Sequence, residues 1–362
     1  MGILTFHDSV NHGAFYQVFA MQIFLESLGL DAYVLNYTNK HHKQESLKTL
    51  FSSKNPLTLI RSLLKMLAFR SAQKELRLIP KNLICSHSEL TRISSKMEFI
   101  IFGSDIIWDF TLPQLGHDTA YFGDGLCPSS GKVAYAASMG TSNTEFPEDL
   151  IQLISTFKSI GVRDDRTFDR IKHKIHGQNS LVKVLDPTLL ITPEFWNKMV
   201  PSPKNRRPYI LVYAFYIPSV VKDWISEFSE RLDLDIIVVG YKNGVNGANH
   251  CHAGPEDWLE LIRGADFVVT STFHGTIFST IYRKQFICIG NDAIDGKVIS
   301  LLGDLGMLDD VYWHDKLAIS VLEKLLVRKI DYDQAFRKLT VLRDHSAHFL
   351  TDAIIVESKD QA

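Results

Sequence analysis

The sequence predicts an α/β protein built as two Rossmann-like, doubly wound domains facing a cleft. Three observations carry that expectation. Short apolar runs of strand length alternate with helical patterns along most of the chain. The alternation breaks at Lys198 to Pro208, which holds three prolines and the basic run Lys204-Asn205-Arg206-Arg207, and then restarts. A length of 362 residues suits two domains of roughly 150 residues better than one. The expected division is 1–200 for an N-terminal domain, 201–325 for a second, and 326–362 for closing helices.

In chain order, Ile3 to Phe6 reads as a strand, followed by a polar loop and an apolar helix from Ala14 to Leu28. Ala32 to Tyr37, Phe99 to Phe102, Val133 to Ser138, Ser159 to Val162 and Val182 to Leu185 read as further strands, with a helix near Leu150 to Phe157. Beyond the break, strands are expected at Tyr209 to Tyr213, Ile236 to Gly240, Phe267 to Thr270 and Phe286 to Ile289. Helices are expected between and after them at Pro218 to Arg231, Pro255 to Arg263, Thr276 to Arg283 and Lys297 to Leu305. Leu317 to Val327 and Tyr332 to Leu350 close the chain as helices.

Composition narrows the class. Hydrophobic residues make up 45% and charged residues 22%, which excludes a disordered chain or a small disulfide scaffold. With 39 basic against 41 acidic residues, the protein is not expected to bind nucleic acid. Cys85, Cys127, Cys251 and Cys288 form no CxxC pair and read as small hydrophobes in a reducing compartment. Met1 to Phe6 lacks the basic, then long apolar, pattern of a secretory signal, and no apolar run is long enough to span a bilayer. A cytoplasmic protein is expected. One imbalance survives averaging: Lys40 to Lys81 carries ten Lys/Arg against Glu45 and Glu75, a net of +8 in a chain of net −2. Within it Leu57, Ile60, Leu64, Leu67 and Ala68 recur near helical spacing, with Arg61, Lys65, Arg70 and Lys74 between them. That pattern reads as a solvated basic face or as peripheral contact with anionic membrane through 40–81.

Ligands of open parallel sheets bind beyond the carboxyl ends of strands, and four places there carry candidate chemistry. Asn11 and Gly13 open the first helix, as a cap or as a ligand contact. Ser104, Asp105 and Trp108 follow a buried strand: Asp105 reads as a base or sugar-hydroxyl partner and Trp108 as a sugar-stacking face, or else as a helix cap and a core residue. Arg163 ends another strand and suits a phosphate or carboxylate, unless it pairs with Asp164 or Asp165. Ser271, Thr272, His274, Gly275 and Thr276 carry the most weight. Three hydroxyls and the first amides of a helix suggest an anion cradle, faced by His274 as acid/base or phosphate ligand. Gly240 to Gly254 holds no nucleotide fingerprint, and neither His250-Cys251-His252 nor His41-His42 has metal-ligand spacing.

These places, in this order, resemble the polysaccharide pyruvyl transferase family. The resemblance rests on Asn11-x-Gly13-Ala14, Gly103-Ser104-Asp105-x-x-Trp108, Ala134-Tyr135-Ala136-Ala137-Ser138, Val162-Arg163-Asp164, Asp186-Pro187-Thr188-Leu189-Leu190 and Ser271-x-x-His274-Gly275. It implies a GT-B-like fold with the acceptor on the N-terminal side and the donor on the C-terminal side. It also implies phosphoenolpyruvate as donor and a cyclic pyruvate ketal formed across two hydroxyls of a sugar in a surface polysaccharide, such as a capsule or exopolysaccharide, or its lipid-linked precursor. Carried over by position, Arg163 binds phosphoenolpyruvate and His274 binds it or moves a proton. Ketal formation needs an acid near the methylene and a base near the hydroxyl, roles that His274 and Asp105 suit. Some members place an Arg where this chain has Thr272, so a second cation is sought in Arg283, Lys297 or the helix amides. No metal or cofactor is expected. Arg163→Ala is expected to weaken donor binding with the fold intact. Two rivals are a GT-B nucleotide-sugar glycosyltransferase and a non-catalytic glycan-binding protein.

Overall fold

The computed structural model describes residues 1–51, 55–113, 118–175, 180–200, 206–240 and 244–355. The chain forms two compact units, one of Met1–Leu59, Gln73–Ile191 and Thr340–Ala362, the other of Ile60–Ala72 and Thr192–Leu339.

The first unit is wound on a seven-stranded sheet: β1 (Gly2–Leu4), β2 (Tyr33–Tyr37), β3 (Leu78–Ile84), β4 (Phe99–Phe102), β5 (Gly131–Ala137), β6 (Ser159–Val162) and β7 (Ser180–Lys183). Their spatial order is β3-β2-β1-β4-β5-β6-β7, and every pairing is parallel. β1 and β4 are buried along their whole length. Helices on both faces of a parallel sheet require such unbroken apolar runs, which is why these strands read so clearly from sequence. Helix His12–Ser27 is buried around most of its circumference and starts at Asn11, whose carboxamide oxygen accepts from Gly13 N at 2.8 Å and Ala14 N at 3.2 Å.

The second unit repeats the plan. Its strands are β8 (Tyr209–Tyr213), β9 (Asp235–Val239), β10 (Asn249–Cys251), β11 (Phe267–Thr270), β12 (Gln285–Ile289) and β13 (Tyr312–Trp313). They lie in the order β10-β9-β8-β11-β12-β13, again all parallel. Both sheets reverse winding direction once, between β1 and β4 and between β8 and β11. At such a switch point the flanking crossovers run to opposite faces and leave the strand ends open for a ligand.

The units depart from the expected division at three places. The first leaves off at Ile191, while 201–205 of the expected linker lie outside the described residues. Ile60–Ala72 belongs to the second unit: Ala68 packs so close to Gly254 that a Cβ there would lie 2.8 Å from the Ala68 methyl. The closing helix, Tyr332–Ile355, returns to the first unit from Thr340 onward. There Ser346 Oγ accepts from Leu185 N at 2.9 Å and Arg343 Nε donates to Leu189 O at 2.7 Å, satisfying backbone groups beyond β7. Among the described residues, no helix is long and apolar enough to cross a membrane.

Candidate functional site

The carboxyl edge of the first sheet is a buried polar network that joins five strands. Thr5, just past β1, donates to Ser104 O at 2.6 Å, and Gln17 donates to Thr5 Oγ1 at 3.1 Å. Ser104, just past β4, donates to Asp186 Oδ2 at 3.1 Å. Arg163, at the end of β6, gives its Nη1 to Asp186 Oδ2 at 3.0 Å and to Ser104 Oγ at 3.1 Å, while Nη2 stands 3.6 Å from Asp105 Oδ1. Asp186 Oδ1 is taken by Thr188 N and Oγ1 at 3.1 and 2.7 Å. Beside them Ser138, past β5, donates to Asp164 Oδ2 at 2.6 Å, and Asp164 caps the helix Asp165–Ile171 through Thr167.

Exposure grades across this network. The side chains of Asp186 and Arg163 are 0% and 2% exposed, and that of Asp105 is 19% exposed. Asp105 is therefore the tip that meets solvent, and Arg163 stands behind it as a compensated buried charge. Its partners are Asp186, Ser104 and Asp105, while Asp164 caps a helix and Asp165 pairs with Lys183 at 2.8 Å. Asp105 holds φ at +84°, a region that Asp tolerates better than most residues. Ile106 N on its Oδ1 and Ser138 N on its carbonyl fix it there. Gly103 precedes it with φ +109°, and a Cβ at that position would collide with the Tyr135 carbonyl oxygen. Only glycine lets the end of β4 pass β5 so closely.

Trp108 is not a sugar platform. It is fully buried, donates Nε1–H to Tyr121 O at 3.0 Å, and packs against Phe122 and Phe157. An indole three residues beyond Asp105 follows the chain back under the sheet, where its area contributes more to the core than it would at the rim. Asn11 and Gly13 likewise serve the start of their helix, with the Asn11 oxygen already accepting two amides.

At the second switch point the hydroxyls are turned inward. Ser271 Oγ accepts from Phe215 N and Tyr216 N at 2.8 and 3.3 Å. Thr272 is the N-cap of helix Phe273–Ile281, accepting from Gly275 N at 3.0 Å. Thr276 Oγ1 returns to Thr272 O at 3.0 Å, and Thr270 Oγ1 lies 3.0 Å from Thr272 Oγ1. The expected cradle of three hydroxyls is thus consumed by the strand-to-helix turn, whose amides need acceptors before any ligand arrives. Gly275 is required there because a Cβ would strike the Thr270 and Thr272 hydroxyls. His274 is half-buried, its ring edge-on to Phe273 with centroids 5.4 Å apart.

The two cations sought as replacements for the missing Arg separate cleanly. Arg283 follows the far end of helix Phe273–Ile281, where it pairs with Asp333 at 3.2 Å and stacks on Phe336. It is ruled out by position. Lys297 lies in the first turn of helix Asp295–Leu305, with Nζ 6.0 Å from the Phe273 ring centre, at the same end of the sheet as His274.

Four features were given no site role in the sequence. Phe215 and Tyr216 follow β8 and are half exposed at the switch point, held by Ser271. His42 packs edge-on to Phe6 at 5.1 Å, and burial lowers its pKa against the pull of Asp105, Asp8 and Asp118. Asp186 was visible only as part of a motif, yet it anchors the network. Beyond β12, Asp292, Asp295 and His314 bring three potential ligand atoms within 4.8 Å of one another. Asp295 Oδ1 there already accepts from Tyr312 OH at 2.9 Å and Asn291 N at 2.8 Å.

The profile of the family described as polysaccharide pyruvyl transferase matches residues 11–293. The chain belongs to that family. Of the six segments on which the resemblance was read, five lie at strand ends or helix starts of the first unit and one in the second. Among solved structures, the fold is similar to a protein of Listeria monocytogenes assigned as a UDP-N-acetylglucosamine 2-epimerase, with TM-score 0.55, 8% identity, and coverage of 99% of this chain and 96% of that one. A second UDP-N-acetylglucosamine 2-epimerase gives TM-score 0.53 at 10% identity, covering 99% and 96%. At that identity the likeness speaks for the fold, which is GT-B-like: two parallel-sheet α/β domains. No curated protein matches the sequence. Family membership makes the protein a transferase of polysaccharide biosynthesis, with a donor and a polysaccharide acceptor.

Proposed function

We propose that the protein transfers the pyruvyl group of phosphoenolpyruvate onto two hydroxyls of one sugar, forming a cyclic ketal and releasing phosphate. The single observation that supports this reading is the family match across 11–293, with its polar motif residues at the strand ends of both sheets. His274 donates a proton to the methylene carbon, leaving an oxocarbenium-like centre at C2. A sugar hydroxyl adds there as Asp105 takes its proton. Phosphate leaves with its bonding pair and carries off the proton held by Asp105, and the second hydroxyl closes the ring as it returns a proton to His274. Lys297 and the amide end of helix Phe273–Ile281 offset the phosphate charge. Arg163 keeps Nη1 on Asp186 and Ser104 and holds Asp105 in place through Nη2. The acceptor is a lipid-linked precursor of a surface polysaccharide, met by a cytoplasmic enzyme peripheral to the membrane, and no metal or cofactor takes part.

The test is phosphate release from phosphoenolpyruvate over a panel of free and lipid-linked glycans, together with thermal stabilisation by phosphoenolpyruvate, UDP and GDP. Stabilisation by phosphoenolpyruvate with glycan-dependent phosphate release is expected. Stabilisation by UDP or GDP alone would replace this reading with a nucleotide-sugar transferase, and stabilisation by glycans alone with a binding protein.

A further inference from the structure

The helix Pro56–Ala72 buries one face and leaves a second apolar stripe in solvent. Phe69 is 1% exposed, whereas Ile60, Leu63, Leu64 and Leu67 are 55%, 44%, 58% and 49% exposed. Their spacing of three, four and seven residues places all four on one side of the helix. At about 100° per residue, Arg61 and Arg70 flank that stripe on either side, and both are exposed. No acidic residue occurs between Lys54 and Lys74.

We infer that this helix docks the enzyme on an anionic lipid bilayer, lying in the interface with the four aliphatic side chains among the acyl chains and Arg61 and Arg70 at the headgroups. Charge complementarity selects this occupant. A second copy seated on the stripe would set arginines against arginines, whereas an anionic surface neutralises each of them. An apolar stripe alone would bind weakly, and cations alone would bind only until salt screens them, so the two signals together are what hold. The purpose of the contact rests on the proposed lipid-linked acceptor; the contact itself is measured apart from transfer.

The full-length protein is floated with vesicles of phosphatidylcholine alone and of equal parts phosphatidylcholine and phosphatidylglycerol at low salt. Flotation with the anionic vesicles is expected, falling about tenfold in Leu64→Glu and on pure phosphatidylcholine. In Leu64→Trp, fluorescence is expected to shift blue on anionic vesicles only. Phosphate release on a soluble glycan should be the same in Leu64→Glu as in the unaltered protein. The inference is overturned if the unaltered protein does not float, if Leu64→Glu floats as well, or if neither floats and Leu64→Glu converts a dimer into a monomer. Flotation without phosphate release by any form would leave the docking in place and remove the pyruvyl-transfer reading.

Discussion

The carboxyl edges of the two sheets share one topology and spend their polar groups differently. In the first unit the edge is ionic and locked: Arg163, Asp186 and Ser104 bind one another out of water, and only Asp105 reaches the surface. At the switch point of the second unit the frame is uncharged, a set of hydroxyls bonded to backbone, and His274 and Lys297 are carried by the helices that follow. One winding rule therefore builds either a charged scaffold or a neutral turn. Substitutions in the buried frame of the first edge should register in stability, and those at His274 and Lys297 in turnover.

The largest effect is expected at His274. His274→Asn should lower phosphate release by about 10²–10⁴ while the melting temperature moves little; near-normal turnover with a large loss of stability would make His274 structural and erase the contrast. At the first edge Asp186→Ala leaves Arg163 buried without its main partner and should cost about 3–5 kcal/mol in urea unfolding. Arg163→Ala exposes the converse defect at Asp186, so the expectation that its fold stays intact does not survive the geometry. If both variants unfold at the same urea concentration as the unaltered protein, the network is not a scaffold. Lys297→Met should weaken phosphoenolpyruvate by about 1.5–3 kcal/mol, read by titration, and Arg283→Met should leave it unchanged. Equal losses from the two would show that distance from His274 does not decide donor affinity.

The smallest effect is a pH dependence confined to the first edge. Burial holds the His42 pKa below its ordinary 6.5, so between that lower value and 6.5 the unfolded chain binds a proton that the folded one does not. Stability from this group is flat above pH 6.5 and declines as pH falls through the window below it. His42→Gln should flatten that decline, and an unchanged slope across the same range would place the cause elsewhere.

Sequence patterns disclosed the interior of each sheet and missed its rims. Phe99–Phe102, Ser159–Val162, Tyr209–Tyr213 and Phe267–Thr270 were bounded as the structure has them. β3, β10 and β13 were not expected at all, and β7 was placed two residues late; these four are the edge strands. An edge strand is covered less, so it need not be an apolar run, and β3 even contains Pro80. The same logic explains the site. Which residue types collect at strand ends was legible, because glycine, hydroxyls and charge interrupt apolar runs there. Which way each side chain turns was not. Ser271 and Thr272 accept from backbone amides, Thr276 donates to a backbone carbonyl, and Trp108 joins a core assembled from residues far along the chain.

The return of Thr340–Ile355 to the first unit has a bearing on synthesis. A ribosome delivers β1 through β7 long before Arg343 and Ser346, which complete the hydrogen bonds of Leu189 and Leu185. Those backbone groups, and the Phe349 ring that lies against Gly161 beside Arg163, are left waiting while the whole second sheet emerges. The nascent N-terminal unit must persist in an unfinished state over that interval, open at its β6–β7 side to chaperones and proteases.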